Sequence, residues 1–286
     1  MGIDISALGL LRYTNTFGEF HDTVTLGRQN IHVKEQNLRN IIPLDAGYKH
    51  DMYCESLLKN YFHSTIVDSI DASNYENATF IHDMNKPLPI ELRQKYDTVI
   101  DFGTLEHIYN IPQALENCSL LCKPGGQIIH SLPTNNSCGH GFWQISPELF
   151  FSLYSDIHGY KDTEVFVTRT STIKEYKWFK VKKPEDGQRI NIFTSKEIYV
   201  LARTVLKDKS FSHENTQQSD YIYVWNNRNN NLTQSSRLRN YVKQHNNLAN
   251  LPSILLGYYN KRNMKLSGSN PHLIKTDIST LLSNRK

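Results

Sequence analysis

The chain has 286 residues, of which 38% are hydrophobic and 11% aromatic, so it can bury one sizeable α/β core with some length left over. It holds no apolar run of about 18 residues and no basic start followed by an apolar stretch, which argues against a membrane span or secretory signal and predicts a cytoplasmic protein. The net charge of +4 is uneven, because residues 207–286 hold twelve Lys and Arg against four Asp and Glu, while residues 1–206 carry a net −4.

Segments rich in β-branched residues alternate with helix-length segments through residues 1–206, a rhythm typical of an α/β protein with a mostly parallel sheet. In chain order the pattern predicts a strand at 23–27, a helix at 51–61, strands at 66–71, 78–83 and 96–103, a helix at 111–122 and a strand at 127–131. Two later β-rich runs, 163–169 and 197–206, are predicted to close the sheet as an antiparallel pair. The prediction is a sheet of about seven strands with helices on both faces.

The four cysteines, Cys54, Cys118, Cys122 and Cys138, form no CxxC pair. Cys118 and Cys122 are four residues apart, which suits two neighbours on one helix face. We therefore expect buried, reduced thiols rather than a disulfide or a metal site.

After Leu206 the chain becomes rich in Asn, Gln and Ser, which predicts a polar, basic tail that is partly helical or disordered. One or two helices are predicted within residues 235–259. The sequence thus divides into a domain at 1–206 and a tail at 207–286. The excess positive charge lies in the tail and not in the domain, which leaves open a weak interaction with nucleic acid, anionic lipid or an acidic partner.

Three motifs follow one another between residues 96 and 126. The predicted fourth strand carries Asp101, the turn after it holds Leu105-Glu106-His107, and one helix later the hinge Lys123-Pro124-Gly125-Gly126 precedes the fifth strand. In this order the motifs resemble those of class I S-adenosylmethionine-dependent methyltransferases, in particular the ubiquinone-biosynthesis type of O-methyltransferase. The resemblance implies a Rossmann-like fold, with S-adenosylmethionine as cofactor and S-adenosylhomocysteine as product.

In enzymes of this type, acidic residues at strand ends bind the adenosine part of the cofactor. The resemblance places Asp71 where a carboxylate accepts hydrogen bonds from the ribose hydroxyls, and Asp83 near the adenine amino group. It extends the predicted cofactor site to neighbouring positions and to the end of the fourth strand: Ala72, Met84, Asp101, Gly103 and Thr104. Asp is also frequent in ordinary turns, so a turn role for Asp71 and Asp83 stays open.

The first strand departs from the family pattern. It should end in an acidic residue and a Gly-x-Gly-x-Gly turn, which lets the backbone approach the methionine part of the cofactor, but it ends in Leu26-Gly27-Arg28-Gln29. Either Gly27 alone allows the approach and Arg28 or Gln29 reaches the cofactor's carboxylate, or the site is degenerate.

The link between the second and third strands is a second departure. Only six residues separate Asp71 from Ala78, whereas parallel strands ordinarily need about a dozen. The third strand must therefore be displaced, shortened or reached by an extended loop.

Methyl transfer from a sulfonium is an in-line displacement, so the protein must hold the acceptor and, where necessary, remove its proton. Ligands of open α/β sheets bind at the carboxyl ends of strands, which makes His107 and His140 the candidate catalytic bases. Residues around them form the predicted acceptor site: Glu106, Phe142, Trp143 and Gln144. A structural or helix-capping role for His107 stays equally open. No metal site is expected, because the histidines show no ligand pair at i, i+3 or i, i+4.

The leading hypothesis is methyl transfer to a hydroxyl or amine of a small molecule, with a sugar or nucleotide sugar of a surface-polysaccharide pathway as one acceptor class. The alternatives are a non-catalytic Rossmann-like scaffold that has lost cofactor binding, and an RNA methyltransferase that uses the basic tail. Residues 175–180 interleave aromatic and basic side chains, as nucleic-acid-binding segments do. An exposed hairpin or a lid is the more ordinary interpretation of that run, so nucleic acid is not the expected partner.

Overall fold

The computed structural model describes residues 2–45, 48–185, 187–227 and 262–283, and a large mixed β-sheet forms their centre. The described strands are β1 (Gly2–Ile3), β2 (His21–Leu26), β3 (Asn30–Ile31), β4 (Ser64–Asp71), β5 (Phe80–Ile81), β6 (Tyr96–Phe102), β7 (Cys122–Asn135), β8 (Tyr160–Thr168), β9 (Trp178–Val181), β10 (Ile198–Leu206) and β11 (Leu273–Thr276). The helices are α1 (Ile5–Asn15), α2 (Glu35–Ile41), α3 (Glu55–Tyr61), α4 (Ile111–Leu121), α5 (Pro147–Leu153), α6 (Ser219–Asn226) and α7 (Ile278–Ser283). Short 3-10 helices occur at Ile90–Leu92, Leu105–His107 and Asp156–His158.

The large sheet has nine strands in the order β11-β9-β8-β10-β7-β6-β2-β4-β5, and β1 pairs separately with β3. The five strands from β7 to β5 are parallel, whereas β10, β8, β9 and β11 join by antiparallel pairing. This is the predicted Rossmann-like methyltransferase fold, including the antiparallel pair formed by the two late β-rich runs. The sheet has nine strands rather than about seven and is mixed, because β9 and β11 extend the antiparallel edge.

Both faces of the sheet are covered by apolar side chains, as a sheet with helices on two sides requires. Successive residues of the central strands fall into two different hydrophobic clusters, since Val99 and Ile128 belong to one and Ile100 and Ile129 to the other. Side chains alternate between the faces of a strand, so the two clusters lie on opposite faces. Residues of α4 and α5 pack into the first cluster, and residues of α1, α2, α3 and α7 pack into the second.

Helix α1 was not predicted from the sequence, yet it is almost entirely buried. The carboxylate of Asp4 caps its first turn by accepting the Ala7 N–H at 2.7 Å. An Asp before Ile5, Leu8 and Leu11 is a helix-start signal with apolar residues on one face. Because the residues between them are also apolar, the helical period is weak and the signal was missed.

The segment after Leu206 contributes to the domain core. Strand β11 pairs with β9 at the sheet edge, and Ile278 of α7 packs so closely on α1 that a Cβ added at Gly9 would lie 3.0 Å from its Cδ1 atom. Residues 273–283 of the predicted tail therefore pack on the domain core. The helices predicted within 235–259 lie outside the described residues, and the division of the chain after Leu206 stays a prediction.

The short segment between β4 and β5 leads into a strand of only two residues, because β5 consists of Phe80 and Ile81 alone. Reciprocal hydrogen bonds hold the link against β4, because the Ser69 N–H donates to Thr79 Oγ1 and the Thr79 N–H donates to Ser69 Oγ, both at 3.1 Å. These side-chain contacts replace the helical crossover that parallel strands ordinarily use.

Three local expectations change in the folded chain. Residues 123–126, predicted as a hinge before the fifth strand, follow the end of α4 and already belong to β7. A bulge there shifts the register so that Tyr96 faces Cys122 and Thr98 faces Gln127. Cys138 is exposed because it lies in a loop, while the other three cysteines are buried and free as predicted. The aromatic residues of the run 175–180 include Trp178 and Phe179, which are buried in β9 and so cannot stack on a nucleic acid.

Among the described residues, no helix is both long enough and apolar enough to cross a membrane.

Candidate functional site

A cavity of about 240 Å³ lies at the carboxyl ends of β6 and β7, the edge at which ligands of open α/β sheets bind. Its floor includes Phe102 and Gly103 at the end of β6 and Ser131 of β7, and Glu106 and His140 lie at one side. The remaining wall comes from elements distant in sequence: Gly2, Asp4, His32, Thr170, Ser171, Thr172 and Tyr199. The site therefore combines the predicted strand ends with the N-terminal segment and the loop after β8.

Glu106 is a fully buried carboxyl group at the wall of this cavity. Its Oε1 atom lies 3.2 Å from Nε2 of His140, and its Oε2 atom has no hydrogen-bond partner in the described part of the chain. Burial, with the nearby negative charge of Asp101, raises the pKa of Glu106 to about 8. The raised pKa favours the neutral form of Glu106.

His107 and His140 come together although 32 positions separate them in the sequence. Their ring centroids are 5.1 Å apart, and both side chains are close to half-exposed. Burial, and then the neighbouring His140, lower the pKa of His107, which favours a neutral imidazole able to accept a proton. The structure therefore places His140 in the lining of the cavity and His107 beside His140.

The loop that carries His140 is fixed to the turn that carries Glu106. The backbone N–H groups of Phe142 and Trp143 donate to the Glu106 carbonyl oxygen at 2.7 and 3.2 Å, and the Trp143 indole donates to Ile108 at 2.9 Å. Gly141 allows this close approach, because it adopts φ +74° and a Cβ there would lie 2.7 Å from the Glu106 oxygen.

Exposed aromatic side chains lie close to the two histidines along the chain. Phe142 is 71% exposed, Trp143 is 38% exposed, and Tyr109 packs edge-on against Phe142 at 6.4 Å. Gln144, which was grouped with them from the sequence, instead supports the loop, since its Oε1 atom accepts the Ser137 N–H at 3.0 Å. Of the four predicted acceptor-site residues, Glu106 lines the cavity, Phe142 and Trp143 are exposed to solvent, and Gln144 holds the loop in shape.

The predicted cofactor residues lie along the same edge of the sheet. Gly27 after β2 and Gly103 after β6 adopt the left-handed φ values of +66° and +85°, which suit glycine. Asp71 is the last residue of β4, with a half-buried side chain that accepts the Ser73 N–H, and Ala72 beside it is exposed. These positions form a line from β6 across β2 to β4.

The residues after Gly27 do not face the cavity. Arg28 forms a 2.6 Å ion pair with Glu55, donates to the Glu76 carbonyl oxygen at 3.0 Å and stacks on Tyr53. Gln29 is buried and donates to the Leu26 carbonyl oxygen at 2.5 Å. Arg28 therefore connects α3 with the link between β4 and β5, and the sequence-based role of Arg28 or Gln29 at the cofactor's carboxylate stays a prediction.

Four further predicted positions are engaged within the protein. Asp83 accepts two hydrogen bonds from Asn85, and Met84 is buried. Asp101 is fully buried, where it accepts the N–H groups of Thr104 and Leu105 and lies 2.9 Å from Nδ1 of His130. The Thr104 hydroxyl donates to the Leu26 carbonyl oxygen at 2.6 Å. These contacts support the turns around the site, and direct contacts of the four residues with a cofactor stay predictions.

Several wall residues were missed because they come from segments that carried no motif. Asp4, whose pKa is raised by burial, lines the cavity while it caps α1 and accepts the Ser171 N–H at 3.0 Å. Tyr199 approaches from β10, and burial with the charges of Glu197 and Glu106 raises the pKa of its hydroxyl. The helix-start signal at Asp4 was present in the sequence, but no local pattern connects Tyr199 or His32 with this site.

More than half of the chain matches a known protein family. A family model described as "Methyltransferase domain" matches residues 28–205. Similar solved structures include a SAM-dependent methyltransferase from Thermotoga maritima, described as a possible histamine N-methyltransferase (12% identity over 70% of this chain and 89% of that chain, TM-score 0.40). Another is the N-methyltransferase NodS from Bradyrhizobium japonicum WM9 (11% identity over 70% of this chain and 94% of that chain, TM-score 0.37). A third is a SAM-dependent methyltransferase from Aquifex aeolicus (14% identity over 71% of this chain and 94% of that chain, TM-score 0.35). No curated protein sequence matches the chain.

Proposed function

The chain belongs to the methyltransferase-domain family and is an S-adenosylmethionine-dependent methyltransferase, and from this premise we propose that its acceptor is a small molecule methylated on a hydroxyl or amine. A sugar or nucleotide sugar of a surface-polysaccharide pathway is the acceptor class proposed here. The observation that carries the proposal is the cluster of Glu106, His107 and His140, two of which line the cavity. The exposed rings of Phe142 and Trp143 follow His140 closely along the chain. The cytoplasmic location expected from the sequence belongs to the same proposal.

The strand ends fit the cofactor. Gly27 and Gly103 present backbone without a Cβ at adjacent strand ends, so a ligand can approach closely. The half-buried carboxylate of Asp71 suits the paired hydroxyls of a ribose. S-adenosylmethionine, when bound, supplies an electrophilic methyl group on a sulfonium. Asp71 would hold the adenosine side, and the cavity beside Gly103 would hold the side that faces the acceptor.

The chain's own groups can position the acceptor and take its proton. Exposed aromatic rings stack against the apolar face of a sugar ring while leaving its hydroxyls free. His107, whose lowered pKa favours the neutral form, can accept a proton from a hydroxyl at the cavity mouth. Glu106 holds the imidazole of His140 through a 3.2 Å contact. In this proposal the two histidines are alternative bases.

Cofactor binding is tested by calorimetry with S-adenosylhomocysteine. We expect Asp71→Ala to weaken binding at least about tenfold, because hydrogen bonds to a charged group contribute about 1.5–3 kcal/mol. Asp208→Ala is the matched control, since Asp208 is exposed and follows β10, whose end lies at the opposite edge of the sheet. Equal affinity of both variants and the wild type would remove Asp71 from the cofactor site.

The acceptor class is tested by mass spectrometry of reactions that contain S-adenosylmethionine and either a panel of nucleotide sugars or total RNA. We expect the gain of one methyl group on a nucleotide sugar. Methylation confined to the RNA reaction would replace this proposal with the RNA-methyltransferase alternative. The buried positions of Trp178 and Phe179 in the run 175–180 make that outcome the less favoured one.

A further inference from the structure

Glu106, His107 and His140 bring three metal-binding side chains to one point at the cavity mouth. Oε1 of Glu106 lies 3.2 Å from Nε2 of His140 and 3.9 Å from Nε2 of His107, and one ligand atom of each residue lies within 4.8 Å of the other two. Metal–ligand bonds of about 2.1 Å place neighbouring ligand atoms about 3.0–3.4 Å apart. A small rotation of the half-exposed His107 therefore completes the set.

The carboxylate itself gives an independent indication of a missing ligand. Oε2 of Glu106 is buried and lacks a hydrogen-bond partner among the described residues, although the side chain is fully enclosed and lines the cavity. A buried polar atom without a partner is destabilising, and a buried carboxylate even more so. A cation beside Glu106 would remove that cost.

The ligand set is held in place by backbone contacts. The N–H groups of Phe142 and Trp143 donate to the carbonyl oxygen of Glu106, so the loop that carries His140 is attached to the residue that supplies the carboxylate. His107 follows Glu106 directly in the same 3-10 helix. Ligands held in this way lose little conformational entropy when an ion binds.

The donor chemistry decides the kind of ion. Two imidazole nitrogens suit zinc, iron and nickel, and the carboxylate of Glu106 also suits manganese, whereas magnesium and calcium prefer sites made of oxygen alone. We propose that Glu106, His107 and His140 bind one divalent transition-metal cation such as Mn²⁺ or Zn²⁺, with coordination positions left open toward the cavity. This differs from the sequence-based expectation of no metal site, which considered only ligand pairs close together along the chain.

The role of the cation rests on the proposed function, because the open positions face the place assigned to the acceptor. A cation there binds an acceptor hydroxyl and lowers its pKa, so that the proton passes to solvent. The oxygen lone pair then forms the bond to the methyl carbon as the carbon–sulfur bond breaks and its electron pair stays on sulfur. When the cation is bound, His107 and His140 act as its ligands in place of the base role proposed above for the metal-free site, and a hydroxyl acceptor is favoured over an amine.

Metal binding is measured directly on the full chain after removal of any affinity tag and treatment with a chelator. Free Mn²⁺ is followed by electron paramagnetic resonance, and Zn²⁺ binding is followed by calorimetry. We expect one ion per chain in the wild type, and at least about tenfold weaker binding in Glu106→Gln and His140→Gln. His63→Gln is the matched control, because it removes an exposed histidine outside the cavity and outside the three-residue cluster and should leave the affinity unchanged.

Absence of binding in the wild type, or equal affinity in all four proteins, would overturn the inference. Circular dichroism checks folding, and the half-exposed position of His140 makes His140→Gln the variant least disturbed. Measuring S-adenosylhomocysteine binding to the metal-free chain tests the proposed function separately from the proposed metal site. A chain that binds Mn²⁺ but not S-adenosylhomocysteine contradicts the proposed function alone, and the reverse result contradicts the metal site alone.

Discussion

Gly141 shows at the scale of a single residue how the acceptor loop depends on a close approach. A Cβ at this position would lie 2.7 Å from the carbonyl oxygen of Glu106, and φ of +74° is strained for other residues. Gly141→Ala should push the loop away from Glu106 and misplace His140. We expect kcat/KM for the acceptor to fall about tenfold to a hundredfold, while S-adenosylhomocysteine affinity measured by calorimetry stays the same.

Gly139→Ala is the control for this prediction. It adds the same methyl group two residues earlier, where nothing lies within 4 Å of the new Cβ. If both substitutions lower kcat/KM equally, the close contact with Glu106 does not determine the loop position.

His213 provides a pH-dependent contribution to stability. Burial, and then the neighbouring His158, lower the pKa of His213 to about 4, and its Nε2 atom lies 2.8 Å from the Tyr160 hydroxyl. Between about pH 6.5 and 4 the unfolded chain binds a proton at this histidine that the folded chain does not, so stability falls as the pH falls through this window. Denaturant titrations at several pH values should show a shallower fall for His213→Gln than for the wild type.

The exposed histidine His63 is the comparison for that measurement. His63→Gln should keep the wild-type pH dependence. A His213→Gln curve that runs parallel to the wild type would mean that another group causes the loss of stability in acid.

At the scale of elements, β11 shows why the end of the chain belongs to the core. Leu273 is 3% exposed and packs in the hydrophobic cluster of one sheet face, while its neighbour Ile274 is 49% exposed on the other side of the strand. We expect Leu273→Ala to lower the free energy of unfolding by about 2–4 kcal/mol. Ile274→Ala should lower it by less than about 1 kcal/mol. Chemical denaturation of the two variants measures both free energies of unfolding. Equal small losses in the two variants would show that β11 does not contribute to the stability of the sheet.

At the scale of the whole molecule, the excess positive charge after Leu206 cannot be tested by a simple deletion. Removing everything after Leu206 would also remove β11 and α7, so that deletion cannot separate an RNA-binding role from a structural one. Replacement of Arg237, Arg239 and Lys243 by Gln changes the charge of residues outside the described part and leaves the sheet sequence intact. For a small-molecule acceptor we expect unchanged turnover in a methylation assay. A loss of turnover that is steeper at high salt would favour a polyanionic acceptor.

The sequence alone determined the order of the main elements and the turns that border the site. The strand and helix periods and the Leu105-Glu106-His107 turn are local signals in the sequence. The periods predicted several elements with approximately correct bounds: β2, β4, β6, β8, β10 and α4. Such signals arise because burial on one face repeats with the period of the element. They also placed His107 and His140 at strand ends on one edge of the sheet.

Only the tertiary structure decided which of these residues meet. Glu106 and His140 are 34 positions apart, and β11 pairs with β9 across almost 100 positions. No local period encodes such contacts, because they depend on how loops close over the sheet and on which strand completes its edge. The same holds for Asp4 and Tyr199, which reach the cavity wall from opposite ends of the domain sequence. The sequence therefore determined the scaffold of the site, and folding assembled the three-residue cluster at its mouth.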